Sequence, residues 1–180
     1  MMEALQYPIG RFQWAGTSTV EERVSWIKII AGTPAALRDP ITGLQPEQLD
    51  VPYREGGWTS RQVVHHYADD HMNTYVRFKL ALTENAPLIK GYSESAWAEL
   101  PDAQSGPVDP SLQLLAALHE RWVIAWESLK ETDWQRTFVH PVRGAVSLDH
   151  LASLYAWHGR HHVTQVGRLR ERNGWIRTGE

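Results

Sequence analysis

The stretch LDHLASLYAWHGRHHVTQVGRLRER, residues 148–172, has the spacing of an amphipathic α-helix. A helix turns about 100° per residue, so residues i and i+4 share a face. Leu148, Leu151, Leu154, Tyr155, Val166 and Leu169 fall on one stripe, and His158 and His162 fall in its middle. Arg160, Arg168 and Arg170 fall elsewhere. Two imidazoles one turn apart therefore point toward the core of a bundle. A buried imidazole without a partner costs about 1–3 kcal/mol, and two facing the same way cannot fully satisfy each other. A metal ion satisfies both, because neutral imidazole is a good zinc ligand and HxxxH supplies two ligands from one turn. Core histidines satisfied by backbone or water are the alternative.

Three further segments read as helices. The first opens at Ser18, with Glu21 completing a capping box, and runs to about Arg38. Pro34 should kink or interrupt it, and Asp39-Pro40 closes it. The segment QPEQLDVPYREGG is a connector. Thr59 or Ser60 starts the second helix, which stops before Pro87. The stretch from Pro87 to Pro110 is rich in Pro, Gly and Ser and reads as a long crossing connection. The third helix follows from Ser111 to about Lys130. FVHPVRGAVS then makes a turn or a short hairpin before the last helix. Nothing alternates well enough to build a sheet. The expectation is an all-α, four-helix bundle with long crossover connections, one domain over residues 1–180.

Composition narrows the function. The chain carries 18 basic and 21 acidic residues, a net charge of −3, which gives no electrostatic case for nucleic acid. No Lys/Arg cluster adjoins an amphipathic stretch, so a membrane surface is not expected either. There is no cysteine, so disulfides, thiolate ligands and a cysteine nucleophile are excluded. Any metal must be held by His, Asp or Glu. MMEALQYPIGRFQW lacks the pattern of a signal peptide, which makes the cytoplasm the expected compartment. Nine tryptophans are several times the usual number; core packing in a small bundle is the first reading, and Trp14, Trp97 or Trp175 lining a subunit interface is the alternative.

A third metal ligand must come from another helix. The second helix offers His65, His66 and His71. His65 projects toward the presumed solvent side. His71 lies in the apolar face of Val63, Val64, Tyr67 and Phe78. His66 lies at its edge, in a polar stripe with Asp70, Asn73 and Arg77. Periodicity does not choose between His66 and His71. His119, His140 and His150 are weaker candidates, read as surface or turn histidines.

PYREGGW (52–58), RQVVHHYADDHMNTYVRFKLALTE (61–84) and YAWHGRHHVTQV (155–166) resemble the DinB/YfiT-like superfamily, closely so its YfiT branch. The resemblance covers nearly the whole chain. It implies a four-helix bundle with a metal between helices. It also implies that the first ligand lies eight residues after the tryptophan opening the second helix, which is His66 after Trp58. The C-terminal HxxxH supplies His158 and His162, leaving His65 and His161 as bystanders. A homodimer with one divalent metal per subunit, zinc or nickel, is implied as well.

Three protein ligands leave a fourth position open, the pattern of catalytic rather than structural zinc. A water there has its pKa lowered to about 7, which supports hydrolysis of a small-molecule substrate. The same position could take an external low-molecular-weight thiol, as in the bacillithiol-type S-transferases that part of the superfamily resembles. A fourth protein ligand, His71 or Asp70, would instead indicate a non-catalytic metal protein. Asp70, one turn after His66, is the candidate general base, with an ordinary surface carboxylate as the alternative. Arg54 and Glu55 either border the pocket or form a turn salt bridge.

Overall fold

The computed structural model describes residues 2–175. Among the described residues the α-helices run in the order α1 (Met2–Gln6), α2 (Val20–Ile41), α3 (Pro46–Leu49), α4 (Ser60–Thr83), α5 (Glu94–Ala98), α6 (Pro101–Ser105), α7 (Asp109–Glu127) and α8 (Leu148–Arg172). Strands β1 (Thr137–His140) and β2 (Gly144–Ser147) form an antiparallel hairpin between α7 and α8. The four long helices α2, α4, α7 and α8 make a four-helix bundle, as the periodicity predicts. Among the described residues no helix is long and apolar enough to cross a membrane.

Local chemistry sets the helix boundaries. Thr59 caps α4, accepting from the Gln62 amide, while the Gln62 side chain accepts from the Thr59 amide. The cap of α2 is Thr19 with Glu22, one residue later than expected. Ser18 is unavailable as a cap because its hydroxyl donates to the Asp149 carboxylate and accepts from Arg23 at 2.8 Å. Helix α2 also runs unbroken past Pro34 and through Pro40. Near its end Arg170 of α8 donates to the carbonyls of Pro40 and Thr42, at 3.1 and 2.6 Å, supplying partners that a helix end lacks. Arg170 is therefore buried despite lying off the apolar stripe. The long crossing holds α5 and α6, and the chain at Pro87–Ile89 bonds to both sides of Val139 on β1.

The core is two apolar clusters. One gathers Trp122, Trp126, Phe78, Leu148 and Leu151, the other Leu37, Tyr67, Leu115, Val166 and Leu169. Between them His71 stacks on Tyr67, centroids 4.5 Å apart, and meets Trp122 and Tyr155 edge-on. Helix α8 packs tightly on α2 at Gly159, where a Cβ would stand 2.7 Å from Thr33 Oγ1. No larger residue fits there without moving Thr33. Of the tryptophans read as interface candidates, Trp14 packs on Trp26 and His150, Trp97 on Tyr92, and Trp175 against the second cluster. Each has a partner within its own chain.

One buried ion pair ties α2 to α8. Arg23 donates to Asp149 at 3.0 Å and to the exposed Glu131 at 2.7 Å. Asp149→Ala should cost about 3 kcal/mol, because a buried guanidinium loses its buried counter-ion. Urea unfolding measures this, and a loss under about 1 kcal/mol would show that water replaces the carboxylate at no penalty.

Candidate metal centre

Helices α4 and α8 build the site. The Thr59 cap begins α4 seven residues before His66, whose ring packs against Trp58 with centroids 4.6 Å apart. Ser147 caps α8 by accepting from the His150 amide, and the helix then presents His158 and His162 one turn apart. His158 Nε2 and His162 Nε2 stand 3.1 Å apart. One ring nitrogen from each of His66, His158 and His162 lies within 4.8 Å of the others. Nitrogens around a tetrahedral zinc are about 3.4 Å apart, given bonds of about 2.0–2.1 Å. The cluster is thus of the size that one ion closes.

The donor chemistry fits a cation. Gln165 Nε2 donates to the Gln6 carbonyl at 2.8 Å, which turns Gln165 Oε1 toward His162 Nδ1 at 2.7 Å. That oxygen only accepts, so His162 carries its proton on Nδ1 and presents a bare Nε2. Burial pushes the His158 pKa down to about 3, and burial likewise lowers those of His66 and His162. All three are neutral near pH 7, the form that ligates metal. A divalent ion is therefore a group these residues could hold. Among the described residues the converging set numbers three, which leaves the coordination sphere open.

Asp70 is buried, not a surface carboxylate. Tyr155 donates to its Oδ2 at 2.7 Å and Tyr92 to its Oδ1 at 3.2 Å, while Thr74 bonds the Tyr155 hydroxyl. Burial works to raise the Asp70 pKa, but His158 and His66 beside it and the Tyr155 hydroxyl hold it below the ordinary range. Its Oδ2 lies 3.8 Å from His158 Nδ1. A second possible grouping, Asp70 with His71 and His158, shares these atoms. There His71 Nε2 already faces His158 Nδ1 at 3.2 Å, and both Asp70 oxygens hold tyrosine hydroxyls.

Other expectations need correction. His65 is buried rather than solvent-facing, because Ser111 and the Gly106 carbonyl from the crossing cover it. His119 is also buried, with Nδ1 2.7 Å from the Ile30 carbonyl. His161 stays outside the cluster, stacked on Trp157 and bonded to Gln165. His140 accepts backbone amides at the hairpin turn, as a turn histidine does, and His150 stacks between Phe12 and Trp14. Arg54 lines the pocket, but it donates to the carbonyl of Glu55 rather than forming an ion pair.

The three histidines open onto a pocket of about 720 Å³ that Asp70, Tyr92 and Trp58 also line. Arg54, Arg77 and Arg143 line it too, against Asp70 and Glu94. The sequence reading did not reach Tyr92, which sits in the crossing with no periodic signal. It also passed over Gln165, although the i+3 spacing from His162 was there to be read.

A sequence model of the DinB superfamily matches residues 30–166. Proteins of Bacillus mycoides and Bacillus cereus, each named "Putative metal-dependent hydrolase", are 52% and 51% identical over 174 residues. Those alignments cover 97% of this chain and 100% of each relative. A solved structure, YfiT from Bacillus subtilis, is described as "a probable metal-dependent hydrolase with an unusual four-helix bundle topology". It superposes with a TM-score of 0.93 at 42% identity, over 96% of this chain and 99% of that one.

Proposed function

The chain belongs to the DinB superfamily, and from that premise we propose that it is a metal-dependent hydrolase of small molecules in which His66, His158 and His162 hold one divalent ion. The observation that carries this reading is the convergence of three neutral imidazoles at the wall of an open pocket. Imidazole ligands suit zinc first, and nickel among the alternatives. An ion with an open position acidifies water and polarises a carbonyl or phosphoryl oxygen.

The chain's own residues do the rest. Tyr92 and Tyr155 fix the Asp70 carboxylate, which stays ionised and takes up the proton that a water nucleophile releases. Trp58 packs over His66 and limits its rotation. Three guanidinium groups against two carboxylates give the pocket wall a positive balance, which suits a substrate bearing an anionic group. At 720 Å³ the pocket has the size of small-molecule sites.

The test is turnover of activated aryl esters and amides, with and without a carboxylate, by zinc-loaded and chelated protein. Zinc-dependent hydrolysis without added thiol supports the reading. Turnover that requires a small thiol would replace it with an S-transferase, and no metal-dependent turnover on either would leave a non-catalytic metal protein. Asp70→Asn should still bind one zinc at saturating metal yet lose on the order of 100-fold in kcat under those conditions, the usual contribution of a general base. An unchanged kcat would remove Asp70 from the chemistry.

A further inference from the structure

We propose that His71 and His119 are positioning residues of the metal centre. A one-way chain of hydrogen bonds from His158 through His71 and His119 to the Ile30 carbonyl holds the His158 proton on Nδ1 and keeps its Nε2 bare. The role assigned to this chain rests on the metal reading above.

The direction follows from the far end. His119 Nδ1 lies 2.7 Å from the Ile30 carbonyl, which can only accept, so His119 carries its proton there. Its Nε2 is then bare and accepts from His71 Nδ1, 2.7 Å away. His71 Nε2 is bare in turn and accepts from His158 Nδ1 at 3.2 Å. His158 is left with a bare Nε2, the atom that stands 3.1 Å from His162 Nε2. A neutral histidine in water favours the opposite tautomer, with Nε2 protonated, so the preference has to come from the protein.

The surroundings shield the two relay histidines from water. His71 and His119 are 0% and 2% exposed, so water cannot take over either bond. Their rings lie nearly coplanar, 20° apart with centroids 4.9 Å apart, as an in-plane N–H···N bond requires, and Tyr67 stacks on His71 at 4.5 Å. Full burial with no carboxylate bonded to either ring keeps both neutral, so each has one donor and one acceptor. Asp70 Oδ2, 3.8 Å from His158 Nδ1, favours a proton on the same nitrogen. From the other side Gln165 fixes His162 in the matching tautomer. Two ligands are thus preset by two separate chains of bonds, each ending on a backbone carbonyl, of Ile30 and of Gln6. Partners of this kind hold metal ligands in register, and losing one typically weakens metal binding about 10–100-fold.

The test uses histidine labelled with ¹⁵N and long-range proton–nitrogen spectra of the metal-free protein near neutral pH. His119, His71 and His158 should all appear as the Nδ1–H tautomer. His119→Phe removes the acceptor for His71, so His71 and His158 should shift toward Nε2–H, and zinc affinity should fall about 10–100-fold. His119→Gln keeps a donor for the Ile30 carbonyl and an acceptor for His71, and should restore both the tautomer and most of the affinity. Wild-type His158 found as Nε2–H overturns the proposal, whether or not His119→Phe folds. A folded His119→Phe protein with wild-type zinc affinity overturns it too, as do two zinc ions per wild-type chain, since the second would occupy His158 Nδ1. Wild type that binds no zinc removes the metal reading, and the positioning role with it. If zinc binds one per chain while the tautomers fail, the relay falls alone.

Discussion

His158→Ala should lose stoichiometric zinc and all metal-dependent turnover while remaining folded. Structural zinc sites are worth on the order of 10–16 kcal/mol across four protein ligands, so one imidazole accounts for roughly 3 kcal/mol, or more than 100-fold in affinity. The fold has less at stake. His158 borders the pocket and its side chain is 14% exposed, so water fills the space left behind. By contrast Leu151 is 2% exposed within an apolar cluster, and Leu151→Ala should cost about 2–5 kcal/mol. Metal analysis after dialysis and circular dichroism melts of both variants beside chelated wild type measure the two effects. The catalytic reading requires chelated wild type to stay folded, with zinc adding stability by mass action. If chelation unfolds the wild type, the ion is structural and the hydrolase reading should be abandoned.

The bundle was legible because four stripes of apolar residues repeat at helical spacing and each has a chemical start and stop. Helix α8 spans the predicted residues because Ser147 caps it just ahead of the first apolar position. Where prediction and structure part, a longer-range partner had taken the residue. Ser18 has the composition of a cap but serves Arg23 and Asp149, so the cap passes to Thr19. Pro40 reads as a stop, yet it lies inside the helix, where Arg170, 130 positions along the chain, donates to its carbonyl. No local pattern carries such information.

The site was legible to a similar depth. HxxxH on an apolar stripe brings two imidazoles together on helical geometry alone. Choosing His66 over His71 needed the family resemblance, which sets the first ligand eight residues after Trp58, because both face inward from α4. The structure gives the two residues separate places: His66 joins the cluster, and His71 stands behind His158. His65 and His119 were misjudged because burial depends on what crosses over a helix. Gly106 of the long connection and Ser111 at the start of α7 cover His65, and α2 covers His119 through Ile30. Tyr92 reaches Asp70 from that same connection, where spacing predicts no facing direction.

The same buried histidines should make the metal-free protein acid-labile. His71, His119, His158 and His162 have pKa values lowered by burial, to about 4 for His119 and about 3 for His158. In the unfolded chain each titrates near about 6.5. Below that pH the unfolded state binds protons that the folded state refuses, so stability falls as pH falls, and the loss continues until the folded values are reached. Each such group contributes a slope of about 1.4 kcal/mol per pH unit. Asp69 works the other way: burial and the nearby Asp102 and Asp70 raise its pKa to about 6, so the folded state gains a proton before the unfolded state does. That offsets at most one histidine, and less because Asp69 is half-exposed. About three net protons remain, or roughly 4 kcal/mol per pH unit, against a total stability of about 5–15 kcal/mol for a typical domain. Chelated protein should therefore unfold within about two to three units below pH 6.5, whereas zinc, by competing with protons for His158 and His162, should move the transition to lower pH. Urea midpoints measured from pH 7.5 to 5 with and without chelator read both effects. A slope of one proton or less in the chelated protein would mean that water reaches these imidazoles, and that the buried, neutral histidine layer described above is not maintained in solution.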